Sequence, residues 1–238
     1  MTAEHEPVVS LKGVRKDYRG LRPLRIEQLE LKEGRSLALL GFDQVTAEVL
    51  VNLITGATVP DAGEVRVLGQ STAAIPDADA WLRALDEFGI ISDRAVLLDR
   101  FTVEQNLVMP FSLDLDEVHG ALRSRVHELA HEVGIDAVEL PKLAGELSAP
   151  ARLRLRLGRA LALNPRLLLA EHPSASLPAT EIPAFAADFS RILAKRRIAS
   201  LIITADSTFA AAVAEQVVTF HPATGQLRAY PGWRRWFA

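Results

Sequence analysis

The chain has 238 residues, 49% hydrophobic and 24% charged, which is apolar material enough for one globular domain with a sizeable core and excludes a disordered chain. Lys and Arg number 27 against 30 Asp and Glu, so the net charge of -3 gives no general attraction to nucleic acid or to an anionic membrane, and no nucleic-acid partner is expected. The absence of cysteine excludes a disulfide framework, a thiolate metal site and a cysteine nucleophile. No run approaches the roughly 20 apolar residues of a membrane-spanning helix, and MTAEHEPVV lacks the features of a leader, so a soluble, unexported chain is expected.

VVSLKGV and LRIEQLELK alternate and are rich in β-branched residues, which predicts two opening strands around the turn-like YRGLRP. RSLALLG is a continuous apolar run ending in glycine, the pattern of a strand buried on both faces of a parallel sheet. Val45, Val49, Leu50, Leu53 and Ile54 follow at helical spacing, and Gly56 supplies the stop. GEVRVLG predicts another strand. DADAWLRALDEFG, opened by Asp caps and closed by Gly, predicts a helix.

Residues 102–158 carry helical patterns in TVEQNLVMPFSL, LDEVHGALRSRVHELAHEVG and APARLRLRLGRALALN. Within the last, RLRLRL has a period of two that also suits a strand; its apolar, Ala-rich flanks favour a helix. Alternation then resumes with RLLLAEHP, a helix over about 180–197, SLIITAD, the Ala-rich STFAAAVAEQ and a terminal QVVTF…GQLRAY hairpin. The economical fold class is α/β, layered, with an inserted helical lobe.

In order and spacing these segments resemble the ATP-binding cassette of ABC transporters over nearly the whole chain. LITGATVPDAGEVRVLG resembles the segment after that family's phosphate loop, and FTVEQNLVMP the stretch after its Q-loop. GELS with RLGRALALNPRLLLAEHP resembles the signature helix running into Walker B, and SLIITAD the strand that carries the switch histidine. The resemblance implies a P-loop NTPase-like fold: a RecA-like core with a mixed sheet, about 1–92 and 159–238, and a helical subdomain, about 93–158.

The departures from the family pattern fall on the chemistry. Where the family has G-x-x-G-x-G-K-[ST], this chain has GFDQVTAE: Gly41 is kept, Gln44 and Thr46 stand in the glycine places, Ala47 in the lysine's, and Glu48 in that of the hydroxyl residue. Glycines let backbone amides curl around phosphates, and Val45 and Thr46 are poor at positive φ. The lysine would neutralise phosphate charge and the hydroxyl would bind Mg²⁺. Glu48 adds a carboxylate instead, and like charges 4 Å apart cost about 4 kcal/mol at an effective dielectric of 20.

Elsewhere the Walker B pair is Glu171 and His172, and LSGGQ becomes LSAPA with Ala149 and Pro150. The Q-loop glutamine falls at Asp93, the switch histidine at Ala205 and the D-loop aspartate at Pro178. Tyr18 stands where the family has an adenine-stacking aromatic. The expectation is that Tyr18, Gly41, Ala47, Glu48, Asp93, Glu171, His172 and Ala205 form only a vestigial nucleotide site, with ATP and Mg²⁺ binding lost or very weak and no catalytic residue.

The chain is thus expected to be a catalytically silent cassette, structural or regulatory partner of a transporter permease, cytoplasmic and peripheral to the inner face of a membrane. It would pair with itself or another cassette, spoiling both shared nucleotide sites of the pair. Leu97, Leu98, Phe101 and Val103 lie where the family forms the groove for a permease's coupling helix, and are the expected partner-binding residues.

Three alternatives remain open in the sequence. A working ATPase with non-standard residues is one, and a soluble adaptor with no permease at all is a second. Another is a zinc hydrolase at HELAHEVG, which satisfies H-E-x-x-H with His127, Glu128 and His131. The third ligand position holds Ala137, Asp136 is one residue off, and Glu146 would serve only in a looser arrangement, so a fortuitous match in an amphipathic helix is preferred and no metal is expected. Glu171 and His172 as a metal or acid/base pair is set against a plain strand-end polar pair. In the tail, Trp233, Trp236 and Phe237 flank Arg234 and Arg235, suiting a partner or membrane contact or packing back on the domain.

Overall fold

The computed structural model describes residues 6–115 and 118–231. The aromatic and basic tail singled out above lies outside them. Strand β1 (Val9–Lys16) buries Val9, Leu11 and Val14, and β2 (Leu24–Leu31) buries Leu24, Ile26, Leu29 and Leu31 on the same side. One shared apolar face fixes their register, antiparallel from Val9 opposite Leu31 to Lys16 opposite Leu24. Strand β3 (Ser36–Leu40) runs straight into helix α1 (Gln44–Ile54).

Strands β4 (Ala62–Val67) and β5 (Gln70–Ser71) extend the first sheet, whose order is β2-β1-β4-β5. Helix α2 (Ala78–Leu85) begins at the Asp77 cap, and β6 (Phe88–Ile91) follows. Helices α3 (Val103–Val108), α4 (Gly120–Glu132) and α5 (Ala149–Leu161) come next, all before β7 (Leu167–Glu171). The chain continues as α6 (Ile182–Arg196), β8 (Ala199–Ile203), α7 (Ser207–Val213), β9 (Gln216–His221) and β10 (Gln226–Ala229).

The second sheet has the order β10-β9-β3-β8-β7-β6 and is mixed: every pairing is parallel except the β9–β10 hairpin. Side chains alternate across its strands and so build two cores. Leu37, Leu39, Leu167, Leu169, Leu201 and Ile203 face α1 and the antiparallel sheet. Ala38, Leu40, Leu168, Ala170 and Ile202 face the other way, into a core continuous with α3 to α7. This is the layered α/β fold with a mixed sheet that the sequence led us to expect.

RLRLRL is helical. Leu153, Leu155 and Leu157 are all buried, because α5 packs against β6, α3 and α4 at once and so buries a wide arc of its surface. Between them Arg152, Arg154 and Arg156 carry their charges out to Asp99, Asp188 and Asp93. Several expected helices are shorter than their patterns: α2 ends at Leu85 and yields Phe88 and Gly89 to β6, α3 ends at Val108, α4 starts only at Gly120, and α7 ends at Val213. Strand β6 was not apparent from the sequence. Among the described residues no helix is long and apolar enough to cross a membrane.

Candidate functional site

The carboxyl ends of the parallel strands β3, β8, β7 and β6, where ligands of open α/β sheets bind, bring most of the singled-out residues to one edge of the molecule. The turn from β3 to α1 is only Gly41, Phe42 and Asp43. Gly41 has φ +89°, and a Cβ there would stand 2.9 Å from the Phe220 carbonyl oxygen. Phe42 is buried and stacks on Phe220 with ring centroids 4.3 Å apart.

Asp43 then caps α1 in a closed capping box. Its Oδ1 accepts from Thr46 N at 2.8 Å and from Thr46 Oγ1 at 2.7 Å, while Thr46 Oγ1 accepts from Asp43 N at 3.1 Å. Gln44, Val45 and Thr46 therefore lie in the first helical turn, and Val45 and Thr46 escape the positive φ that their branched side chains resist. The hydrogen bonds from Thr46 hold the Asp43 carboxyl below the usual carboxylate range, against the opposing effect of partial burial. A helix start attracts an anion, and here the anion is the chain's own.

Ala47 is completely buried in the core beneath α1. Glu48, one residue on, is half-exposed and is not a bare charge: its Oε1 lies 3.3 Å from Arg94 Nη1. Arg94 offsets part of the Glu48 charge, and shares its guanidinium with a second carboxylate. The same Arg94 Nη1 is 3.4 Å from Asn52 Oδ1, one turn along α1, and Arg94 Nη2 is 2.5 Å from Glu171 Oε1.

The Glu171 side chain is fully buried at the end of β7. Burial pushes its carboxyl up, Arg94 pulls it down, and Glu48 adds to the upward push. Glu171 Oε2 and His172 Nε2 are buried without a hydrogen-bond partner among the described residues. His172 sits at φ +44°, and its amide donates to the Ile203 carbonyl at 2.7 Å, which joins the ends of β7 and β8.

The remaining residues are placed as follows. Tyr18 is half-buried against the core beneath β1, with its ring close over Gly20; burial and the Asp43 charge raise its hydroxyl. Asp93 is exposed and bonded to Arg156 at 2.9 Å. Ala205 is exposed just beyond β8. Ala149 and Pro150 form the first turn of α5, capped by Ser148. His127 Nε2 is 3.0 Å from Glu104 Oε1 on α3, and Arg123 shares that carboxylate. Among the described residues no group of three His, Asp or Glu is set to hold a metal.

The four expected partner-binding residues differ in exposure. Val103 is completely buried and Leu97 nearly so, because both anchor the start of α3 to the core; Leu98 and Phe101 are partly exposed. A surface cavity of about 320 Å³ does open beside them, lined by Phe88 and Ile90 of β6, Leu97, Met109, Pro110 and Arg159. Arg159 donates to the Val96 carbonyl at 2.7 Å, and burial lowers its guanidinium.

Reading from the sequence missed Asp43 and Arg94, and the capping role of Thr46. Asp43 and Thr46 have the spacing of a cap and its N3 partner, so a local signal existed. Arg94 had none.

A sequence model described as ABC transporter matches residues 24–175. The chain is 34% identical over 212 residues to the lipoprotein-releasing system ATP-binding protein LolD of Anaeromyxobacter dehalogenans, covering 86% of this chain and 87% of that protein. It is 29% identical over 213 residues to LolD of Chromohalobacter salexigens, covering 88% and 89%. Among solved structures, the dimeric structure of the bacterial cassette MJ0796 aligns with a TM-score of 0.76 at 20% identity, covering 92% of this chain and 96% of that one. At that identity the likeness is one of fold.

Proposed function

The chain belongs to the ABC transporter family as an ATP-binding cassette, and on that premise we propose that it is a silent cassette, serving a transporter permease by docking without turning over ATP. The observation that carries this reading is the Asp43 carboxylate seated on the α1 amide that a phosphate would need. The neighbouring residues do not fit magnesium–ATP either. Ala47 is buried and offers no cation, and Glu48 and Glu171 already share the Arg94 guanidinium.

The relatives are named as ATP-binding proteins of a lipoprotein-releasing system, and the MJ0796 structure is dimeric. By that kinship the chain pairs with itself or with another cassette and sits beside a permease at the inner membrane face. The cavity between β6 and α5, with residues 93–158 forming its far wall as a helical lobe, is the proposed docking groove.

Isothermal titration of the full chain with magnesium–ATP tests the silence. The expected result is no binding tighter than about millimolar, which corresponds to roughly 4 kcal/mol of binding free energy. Micromolar binding with turnover would restore the reading of a working ATPase with non-standard residues.

A further inference from the structure

Residues 92–99 join β6 to the turn before α3, and almost every one of them is tied down. Ser92 is buried, and its hydroxyl accepts from the Arg94 amide at 3.1 Å. Asp93 pairs with Arg156, the Val96 carbonyl accepts from Arg159, and Asp99 pairs with Arg152, all three arginines belonging to α5. Leu98 exchanges backbone hydrogen bonds with the buried Asn106 side chain of α3, at 2.9 and 3.0 Å. Apart from the Ser92 contact, which is internal to the segment, these contacts attach it to the helical side of the molecule.

Arg94 is the exception, because it reaches the other way. Its separate nitrogens meet Glu48 and Asn52 on α1 and Glu171 on β7. A planar guanidinium can serve two carboxylates at once, each through its own N–H, which a single ammonium does less well. Glu171, with its side chain fully buried, needs a cation if it is to stay ionised, and none other is paired with it among the described residues.

Resting on the reading of the cassette as silent, we propose that Arg94 is a built-in counter-cation, occupying the position between Glu48 and Glu171 that a metal would otherwise take. It pins residues 92–99 to α1 and β7 in one arrangement that needs no ligand. Ala95 and Leu97, within the pinned segment, line the cavity beside β6, so the docking groove keeps its shape whether or not nucleotide is present.

Hydrogen exchange read by mass spectrometry on the full chain, without nucleotide, tests this directly. In the wild type, peptides covering 92–99 exchange slowly, and millimolar Mn²⁺ leaves them unchanged. Arg94→Met keeps the aliphatic stem and removes the fork, so those peptides should exchange about tenfold faster while β2 and α6 keep their rates. The two freed carboxylates should also bind Mn²⁺ measurably, and Arg94→Met with Glu48→Gln should lose that binding.

Unchanged exchange at 92–99 in Arg94→Met, or Mn²⁺ slowing exchange there in the wild type, overturns the proposal. Should Arg94→Met fail to fold, Glu48→Gln alone removes one half-exposed partner, and its peptides must still exchange faster than the wild type's. Because nucleotide is absent throughout, these outcomes are separate from the titration that decides whether the cassette is silent.

Discussion

Replacing Asp43 with alanine removes the acceptor of two hydrogen bonds at the start of α1, from Thr46 N and Thr46 Oγ1. A lost N-cap costs about 0.5–2 kcal/mol. The upper half of that range applies here, since the cap is ionised and reciprocal and α1 carries Leu50, Leu53 and Ile54 into the core. A chain of this length loses roughly 2–4 °C of Tm per kcal/mol, so Asp43→Ala should melt about 2–8 °C lower at pH 7. Asp43→Asn, which can still cap, should lose only part of that.

The pH dependence has a definite sign. The folded Asp43 carboxyl titrates below its unfolded value, so its contribution is complete above the usual aspartate range and is lost as pH falls through the folded value. Thermal melts of wild type, Asp43→Ala, Thr46→Ala and the double variant at pH 7 and in strong acid would check this. Strictly additive single effects at pH 7, or an Asp43→Ala melt within 1 °C of wild type (about 0.3 kcal/mol), would show that the closed cap does not form in solution, and with it the support for a silent phosphate turn.

Two further outcomes follow from the same geometry. Ala47→Lys, which would restore the family's lysine, places a long cationic side chain where alanine is completely buried; overpacking alone costs about 1–3 kcal/mol. It should lower Tm without producing magnesium–ATP affinity, and calorimetry showing micromolar binding with an unchanged Tm would contradict the placement. Glu132 is held below the usual glutamate range chiefly by its hydrogen bond from Arg196, which clamps α6 to α4. Its stabilisation is therefore present above that range and lost as pH falls through the folded value, so Arg196→Met should reduce the difference in Tm between pH 7 and pH 3.

Local pattern in the chain was enough for much of the fold. Alternation marked β1 and β2, the unbroken run of Ser36–Leu40 marked a strand buried on both faces, and helical spacing marked α1, because each period is a property of neighbouring residues. The spacing of several such segments carried the family. It also marked Gly41, Ala47 and Glu171 as the positions where the family resemblance implies a phosphate site.

What tertiary structure alone decided is how that place is filled. Four residues of FGII are too few to announce a strand, and β6 exists because β7 offers it a parallel partner. RLRLRL settled as a helix only because neighbours on several sides could bury leucines at successive alternate positions. Arg94 lies 46 residues from Glu48 and 77 from Glu171, so nothing in its local sequence distinguishes it from any surface arginine. Periodicity reports which side of an element is apolar. It cannot report which distant charges the fold brings within hydrogen-bonding reach of one another, and here the site's charge balance depends on that.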